Sequence, residues 1–315
     1  MGPAGEVQVN VLVTGGAGFI GSHLVDSLVA RGVRVTVLDN FYRGHWEHLD
    51  RHLRSGSVRL FEKDVRDFES VHQAAAGAEV IYHLAAQSNV MGALANSDYS
   101  FTTNVQGTFN VLKAAASRGA RRVVFSSSRE VYGEPVRVPV REESPLEPKS
   151  PYGASKVAGE VYCGAWAQTS GLETFVLRLA NVYGPRDRDR VIPRWLERAH
   201  RGEPLELFGG DQLIDFISVG RVVEALLAAA DRPVNGPVNV GSGQGTSLKE
   251  LAARVLDISG SPSQLRLLPA RQVEVVKFVA DVGKMRGLLG VEPPQDPLDD
   301  LVALYRLGSN GGSPK

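Results

Sequence analysis

The chain has 315 residues, 43% hydrophobic and 22% charged, enough for one large or two modest domains around a sizeable core. Lysine and arginine total 35, as do aspartate and glutamate, so no global field favours nucleic acid or an anionic membrane. No uncharged apolar run approaches the ~20 residues that span a bilayer, MGPAGEVQ lacks the basic start and apolar core of a signal peptide, and a single cysteine, Cys163, excludes an internal disulfide and suits a reducing cytoplasm.

Along the chain, residues 7–15 (VQVNVLVTG) read as a buried strand, and residues 19–32 as a helix ending at Gly32. Strand patterns follow at 33–39, 57–64 and 78–86, then a long helical pattern at 101–119. A fifth strand is expected at 120–128, a helix at 152–171 and a sixth strand at 172–184. Strands separated by helices in this way predict parallel βαβ units, hence an α/β fold with a Rossmann-type, doubly wound parallel sheet. After Gly184 the rhythm loosens. Residues 185–210 mix helix with Pro- and Gly-marked loops, and strand-like pieces at 236–242, 264–270 and 273–281 are widely spaced. This predicts a smaller α/β substrate-binding lobe over the sheet's C-terminal edge. The expected division is 1–183 for the nucleotide domain, with about 210–255 returning to it, and 184–308 mainly for the substrate lobe. Residues 309–315 form a low-complexity tail, expected to be disordered.

TGGAGFIG runs out of the first strand into the first helix, with glycines at 15, 18 and 21. Glycine is needed where the backbone turns tightly, where a diphosphate approaches the amides, and where helix packs on strand. The helix N-terminus then offers N–H groups and a positive dipole end to phosphate. Alone, such spacing marks only a tight turn. With a strand before, a helix after and Asp39 ending the next strand, it points to a dinucleotide. A carboxylate at 39 accepts hydrogen bonds from a ribose diol and repels a 2′-phosphate, which favours NAD over NADP.

In SPYGASK, Tyr152 and Lys156 stand four apart and project from one helix face. A tyrosine with a pKa near ~10 is a poor base at neutral pH unless a neighbouring ammonium and the charge of an oxidised nicotinamide stabilise its phenolate. The plain alternative is a surface pair on an amphipathic helix. Upstream, SSSREVYG offers a hydroxyl at Ser128 and a carboxylate at Glu130. Glu130 could serve proton transfer, or merely pair with Arg129 or cap a turn. His83 reads as structural, and the seven histidines show no metal-site spacing.

TGGAGFIG, Asp39–Asn40, Asp64–Val65, HLAAQ (His83–Gln87), NVQGT (Asn104–Thr108), SSSREVYG, YGASK and NVYGP (Asn181–Pro185) together resemble the extended short-chain dehydrogenase/reductase family. Within it they are most similar to the NAD-dependent nucleotide-sugar epimerases and dehydratases, from Val9 to about Pro293. The resemblance implies that Gly15, Gly18, Phe19, Ile20 and Gly21 hold the pyrophosphate of NAD, and Asp39 and Asn40 the adenosine ribose. It implies that Asp64 and Val65 border the adenine, and that Leu84, Ala85, Ala86, Asn104 and Ser126 belong to the cofactor side. Ser128 matches the catalytic hydroxyl, Tyr152 the base and Lys156 the ribose-binding lysine. Gln87, Ser128, Asn181, Arg190, Val191 and Arg271 fall on the substrate side, where a nucleoside-diphosphate sugar, a UDP-sugar first, is expected. The helices holding 103–117 and 152–170 imply a homodimer, with Val105, Phe109, Leu112, Val161 and Ala165 as apolar faces that an internal core could equally use.

The implied chemistry is withdrawal of the 4′-hydroxyl proton by Tyr152 with oxidation at C4, giving a 4-keto sugar. Dehydratases of this family follow the hydroxyl with Asp-Glu, and decarboxylases with Ser-Glu; here Arg129-Glu130 follows. Ile214 stands where a phosphate-binding arginine is usual, and Phe278 near where decarboxylases carry one. These departures favour net 4-epimerisation. The alternatives are a dehydratase or decarboxylase using Glu130 at C5, and a catalytically silent NAD-binding protein.

Overall fold

The computed structural model describes residues 9–233, 236–270 and 275–310. Its first half runs β1 (Asn10–Thr14), α1 (Phe19–Ala30), β2 (Arg34–Asp39), α2 (Asp50–Arg54), β3 (Val58–Glu62), α3 (Phe68–Ala74) and β4 (Val80–His83). Then come α4 (Val90–Ala95), α5 (Ser97–Phe101), α6 (Gly107–Arg118), β5 (Arg122–Ser128), α7 (Pro151–Ser170) and β6 (Glu173–Leu179). The second half adds β7 (Asn181–Tyr183), α8 (Val191–His200), β8 (Leu205–Phe208), β9 (Leu213–Ser218), α9 (Val219–Asp231) and β10 (Pro237–Val240). It ends with β11 (Gly245–Ser247), α10 (Leu248–Ser259), β12 (Leu265–Leu268), β13 (Lys277–Phe278) and α11 (Leu301–Asn310).

Seven strands form one sheet in the order β10-β6-β5-β4-β1-β2-β3, every pairing parallel. Its central strands are apolar on both faces because helices cover both. On one side Leu24, Val25 and Leu28 of α1 pack with Val222, Leu226 and Ala229 of α9; on the other, Val71 of α3, Leu112 of α6 and Cys163 of α7 share a second core. The strand order reverses between β1 and β4, which opens a crevice at their C-terminal ends.

The smaller lobe is built on β9, which pairs with β7 and β13 in parallel and with β11 antiparallel, while β8 pairs with β12. Trp195 and Leu196 of α8, Leu207 of β8, Leu251 and Val255 of α10 and Leu301 of α11 form its core.

Four differences from the sequence-based expectations have physical reasons. The single strand expected at 172–184 is two, because Ala180 donates its N–H to Val240 across the first sheet and the chain then crosses to β9. Of residues 210–255, β10 joins the first sheet and α9 its core, with Ile217 of β9 packed in that core too; the rest of β9, β11 and α10 lie in the smaller lobe. The closing helix continues through Asn310, so the expected tail is helical at 309–310, and 311–315 lie outside the described residues. Leu112 is fully buried in the second core and offers no outer face, whereas Val161 is 65% exposed. Among the described residues no helix is long and apolar enough to cross a membrane.

Candidate active site

A cavity of about 720 Å³ runs from the β1–β4 crevice to the smaller lobe. Its first end is made of backbone. Gly15 turns with φ +73° and donates its N–H to Leu38 at 2.8 Å. A side chain on Gly15 would stand 2.7 Å from the Ala85 nitrogen, and one on Gly21 only 2.1 Å from the Gly15 carbonyl oxygen. These contacts bring α1 onto β1 so that its N-terminus, which no side chain caps, faces the cavity with free amides. Asp39 closes this end. Its two oxygens accept the N–H groups of Ala17 and Phe41, each at 2.9 Å. Burial pushes its pKa up, and those two bonds pull it back.

His83 lies beneath the same floor. Its ring joins Thr14 (2.7 Å) and Thr108 (2.9 Å), and burial drives its pKa down to about 3. It is a neutral strut. Asn104 does similar work, accepting the Gln87 N–H at 2.7 Å and donating to the Gln87 carbonyl and to Ser155 on α7.

The corner that holds Ser128, Tyr152 and Lys156 sits where β5 ends. Ser150 caps α7 by accepting the Gly153 N–H, with Pro151 in the first turn, so Tyr152 and Lys156 rise on one face. Lys156 donates to the Ser126 carbonyl at 2.8 Å and lies 4.9 Å from the Phe125 ring centre; burial lowers its pKa to about 8. Tyr152 is hydrogen-bonded to Ser128. Burial raises the phenol's pKa, and the Ser128 bond with the Arg190 and Arg129 charges opposes that rise. Beside them Arg129 pairs with Glu130 at 3.0 Å and donates to the Asn181 side chain at 2.7 Å.

The far end is made of side chains. Nine lysines and arginines but only five carboxylates line the whole cavity, although the chain has no net charge. Such a wall draws polyanions. Arg190 pairs with Asp187 at 3.1 Å, and Arg198 with Glu206 at 3.1 Å. The Arg194 guanidinium has no ion pair or hydrogen bond among the described residues, although its backbone N–H donates to the Arg190 carbonyl at 3.3 Å. Two stretches meet over the mouth: Arg43 pairs with Asp189, Arg186 with Asp26 at 2.7 Å, and His23 holds the Pro185 carbonyl at 2.9 Å.

The model of the NAD-dependent epimerase/dehydratase family matches residues 11–241. The chain belongs to that family. It is 36% identical over 295 residues to a putative UDP-glucose 4-epimerase of Methanocaldococcus jannaschii, covering 91% of this chain and 94% of that one. It is 34% identical to UDP-glucuronic acid decarboxylase 1 of Xenopus tropicalis over 90% of this chain and 68% of the other. The UDP-glucose 4-epimerase of Thermotoga maritima, solved with UDP-glucose, superposes with a TM-score of 0.91 at 35% identity, covering 96% and 99% of the two chains. As a family member the chain is an NAD-dependent enzyme of the extended short-chain dehydrogenase/reductase type, and NAD is its cofactor. The glycine cradle and uncapped helix of this structure fit that group.

Of the residues expected on the cofactor side, the cavity wall includes Gly15, Gly18, Phe19, Ile20, Gly21, Asp39, Asn40, Val65, Leu84, Ala85, Ala86 and Ser126. Asp64 and Asn104 stand outside it. Asp64 is taken up by Arg66 and Asn40, and Asn104 is 1% exposed and clamps Gln87. Gln87, expected to meet substrate, is 4% exposed and also lies outside the wall, whereas Ser128, Tyr152, Lys156, Glu130, Asn181, Arg190 and Val191 are in it. Arg271 lies outside the described residues. Sequence reasoning passed over Tyr42, His45, Tyr99, Arg194, Trp195 and Phe208, all in the wall. The basic, aromatic stretch FYRGHWEH after Asp39 and the arginines beyond Val191 were the available signal.

Proposed function

We propose that the chain is a nucleoside-diphosphate-sugar 4-epimerase, with a UDP-hexose as substrate and a 4-keto sugar as transient intermediate. The observation that carries this reading is the corner of Ser128, Tyr152 and Lys156, equipped to move one proton on and off one hydroxyl, beside a carboxylate already held by an arginine. When bound, NAD supplies a hydride acceptor and a formal positive charge. Tyr152 takes the 4′-hydroxyl proton as C4 is oxidised and returns it when C4 is reduced from the other face. Ser128 donates to the same oxygen and to the phenolate in turn. Lys156 stabilises that phenolate by its charge. The cationic wall beyond Asn181 receives the diphosphate.

The 36% identity to a putative UDP-glucose 4-epimerase supports this reading. Elimination or decarboxylation through Glu130 is the second reading, supported by the place of that carboxylate in the wall and by the decarboxylase relative. Purified protein incubated with UDP-hexoses and UDP-glucuronate, without added reductant, separates the two. An unchanged mass with inverted C4 coupling establishes the epimerase, and loss of water or carbon dioxide overturns it. Tyr152→Phe should lower turnover by ~10²–10⁴-fold while NAD titrations stay unchanged; a silent NAD-binding protein would show no turnover in either form. A homodimer is part of the same reading. Val161 and Phe101, 65% and 60% exposed, flank a Phe109–Tyr162–Trp166 cluster on α6 and α7, and sedimentation of Val161→Glu as a monomer would bear it out.

A further inference from the structure

The reacting corner contains one ionisable group that inversion at C4 does not use. Glu130 is 6% exposed. One of its carboxylate oxygens is 3.0 Å from an Arg129 guanidinium nitrogen, and the other is enclosed with no donor among the described residues. Arg129 is itself fixed, through the 2.7 Å bond from its Nε to Asn181 and through the Phe278 ring, whose centre is 5.8 Å from its Cζ. The backbone N–H of Glu130 donates to Ser128 Oγ at 3.2 Å, so the carboxylate belongs to the turn that presents the reacting hydroxyl. The arrangement is a carboxylate in the cavity wall, with one oxygen held by Arg129 and the other enclosed without a donor among the described residues.

Ketone chemistry gives that arrangement a purpose. Once C4 is a carbonyl, the C–H bonds at C3 and C5 are acidified. A free carboxylate nearby breaks such a bond, taking the proton as its own O–H while the electron pair enters the enolate. Reprotonation at carbon from the same carboxyl group, after exchange with solvent, restores the ketone with no net redox change. Each such event risks scrambling a second stereocentre or releasing a group β to the carbonyl. A site that inverts C4 alone must keep carboxylates out of this cycle.

We propose that Arg129 is a positioning residue that sets the outcome of the reaction, holding Glu130 in an ion pair against Asn181 so that the protons flanking C4 stay in place. The proposal rests on the 4-keto reading above. A purely structural Arg129, serving only to fasten the turn, predicts lost stability and no new chemistry. Removing one partner of a buried ion pair leaves the other uncompensated, and the freed carboxylate turns to the polar cavity it lines.

The test uses the full chain with its bound cofactor in deuterium oxide with UDP-glucose, read by mass spectrometry and proton NMR. Wild type should give a C4-inverted product that keeps protium at C3 and C5. Arg129→Ala, and Arg129→Met to keep the stem packed over Phe278 should alanine fail to fold, should incorporate deuterium at C3 or C5 at least about tenfold faster relative to C4 inversion, as expected of a newly positioned base. Adding Glu130→Gln to either variant should abolish the incorporation. Variants that invert C4 without deuterium incorporation overturn the proposal, and so does a wild type that incorporates it equally fast. Absence of C4-inverted sugar from the wild type is a different failure: it removes the 4-epimerase reading itself, and the proposal with it.

Discussion

The two ends of the cavity are made of different material. The cofactor end is backbone: a left-handed turn at Gly15, a helix start with free amides, and a Gly21 that touches the Gly15 carbonyl. The far end is side chain, from Asn181, Arg190, Arg194, Trp195 and Phe208 on separate strands, loops and a helix. A backbone site tolerates few residue types, because a Cβ collides with main chain that has nowhere to go. A side-chain site can draw its cation from any element that reaches. Ile214, 8% exposed in the wall, is apolar where an arginine was expected, while α8 brings Arg194 to the same cavity.

The sharpest way to break this contrast is Gly21→Ala. The added methyl group would sit 2.1 Å from a carbonyl oxygen, so β1 and α1 must part. We expect NAD affinity in a fluorescence titration to fall at least ~100-fold, in line with the ~1–3 kcal/mol of overpacking and the loss of aligned amides. Gly164→Ala on the outer face of α7, with nothing within 4 Å, should leave that titration unchanged. Equal effects at both positions would remove the backbone argument.

Lys156→Met comes next, with effects of opposite sign on activity and stability. Turnover should fall about 30- to 100-fold, because the phenolate loses its cation. Stability should rise at pH 7. The lysine's pKa is about 8 when folded against 10.5 when free, so its buried charge costs at most about 3 kcal/mol below pH 8. Between pH 8 and 10.5 the folded chain has shed a proton that the unfolded chain still holds, so wild-type stability climbs with pH and the variant's advantage shrinks. Thermal melts at pH 7 and pH 10 check this. A variant less stable at both would mean that the Ser126 bond and the Phe125 contact outweigh burial.

The same division explains what a single sequence discloses. The parallel sheet was legible because buried strands leave apolar runs, and the cofactor end because its glycines and Asp39 sit at distances set by one βαβ unit. Tyr152 and Lys156 were legible because helical spacing puts them on one face. By contrast, β7 was hidden within the run at 172–184, since the switch to a second sheet depends on a partner strand 35 residues further on. Asp64 and Asn104 carry motif residues, yet their hydrogen bonds turn them to Arg66 and Gln87 instead of the cavity. Arg194 was passed over because an arginine on a helix looks like any solvated charge until the helix is placed.

Arg194→Ala tests the far end, and the proposed diphosphate contact there, at a smaller scale. Every other arginine in the wall has a side-chain partner in the described structure, so among them only the Arg194 guanidinium is left uncommitted. A charge-assisted contact to a diphosphate is worth ~1.5–3 kcal/mol when made. We expect KM for the UDP-sugar to rise roughly tenfold or more, with NAD affinity and kcat little changed. A fall in kcat with constant KM would place Arg194 with the reacting groups instead.

The smallest effect is expected where the two ends are tied together. Arg43 on the loop after β2 pairs with Asp189 on the loop before α8, and the side chains are 31% and 55% exposed. A pair so exposed contributes ~1 kcal/mol or less and is screened by salt. Arg43→Ala should therefore speed NAD release at most about fivefold at low ionic strength, and the difference should vanish near 1 M salt. Arg186→Ala should act more strongly and with less dependence on salt. Its guanidinium is 24% exposed and meets Asp26 at 2.7 Å, a carboxylate whose pKa is lowered because contacts from His52, Arg51 and Arg186 outweigh its burial. Should the two substitutions release NAD at the same rate and with the same salt dependence, the mouth would be closed by chain packing, and the ion pairs across it would be bystanders.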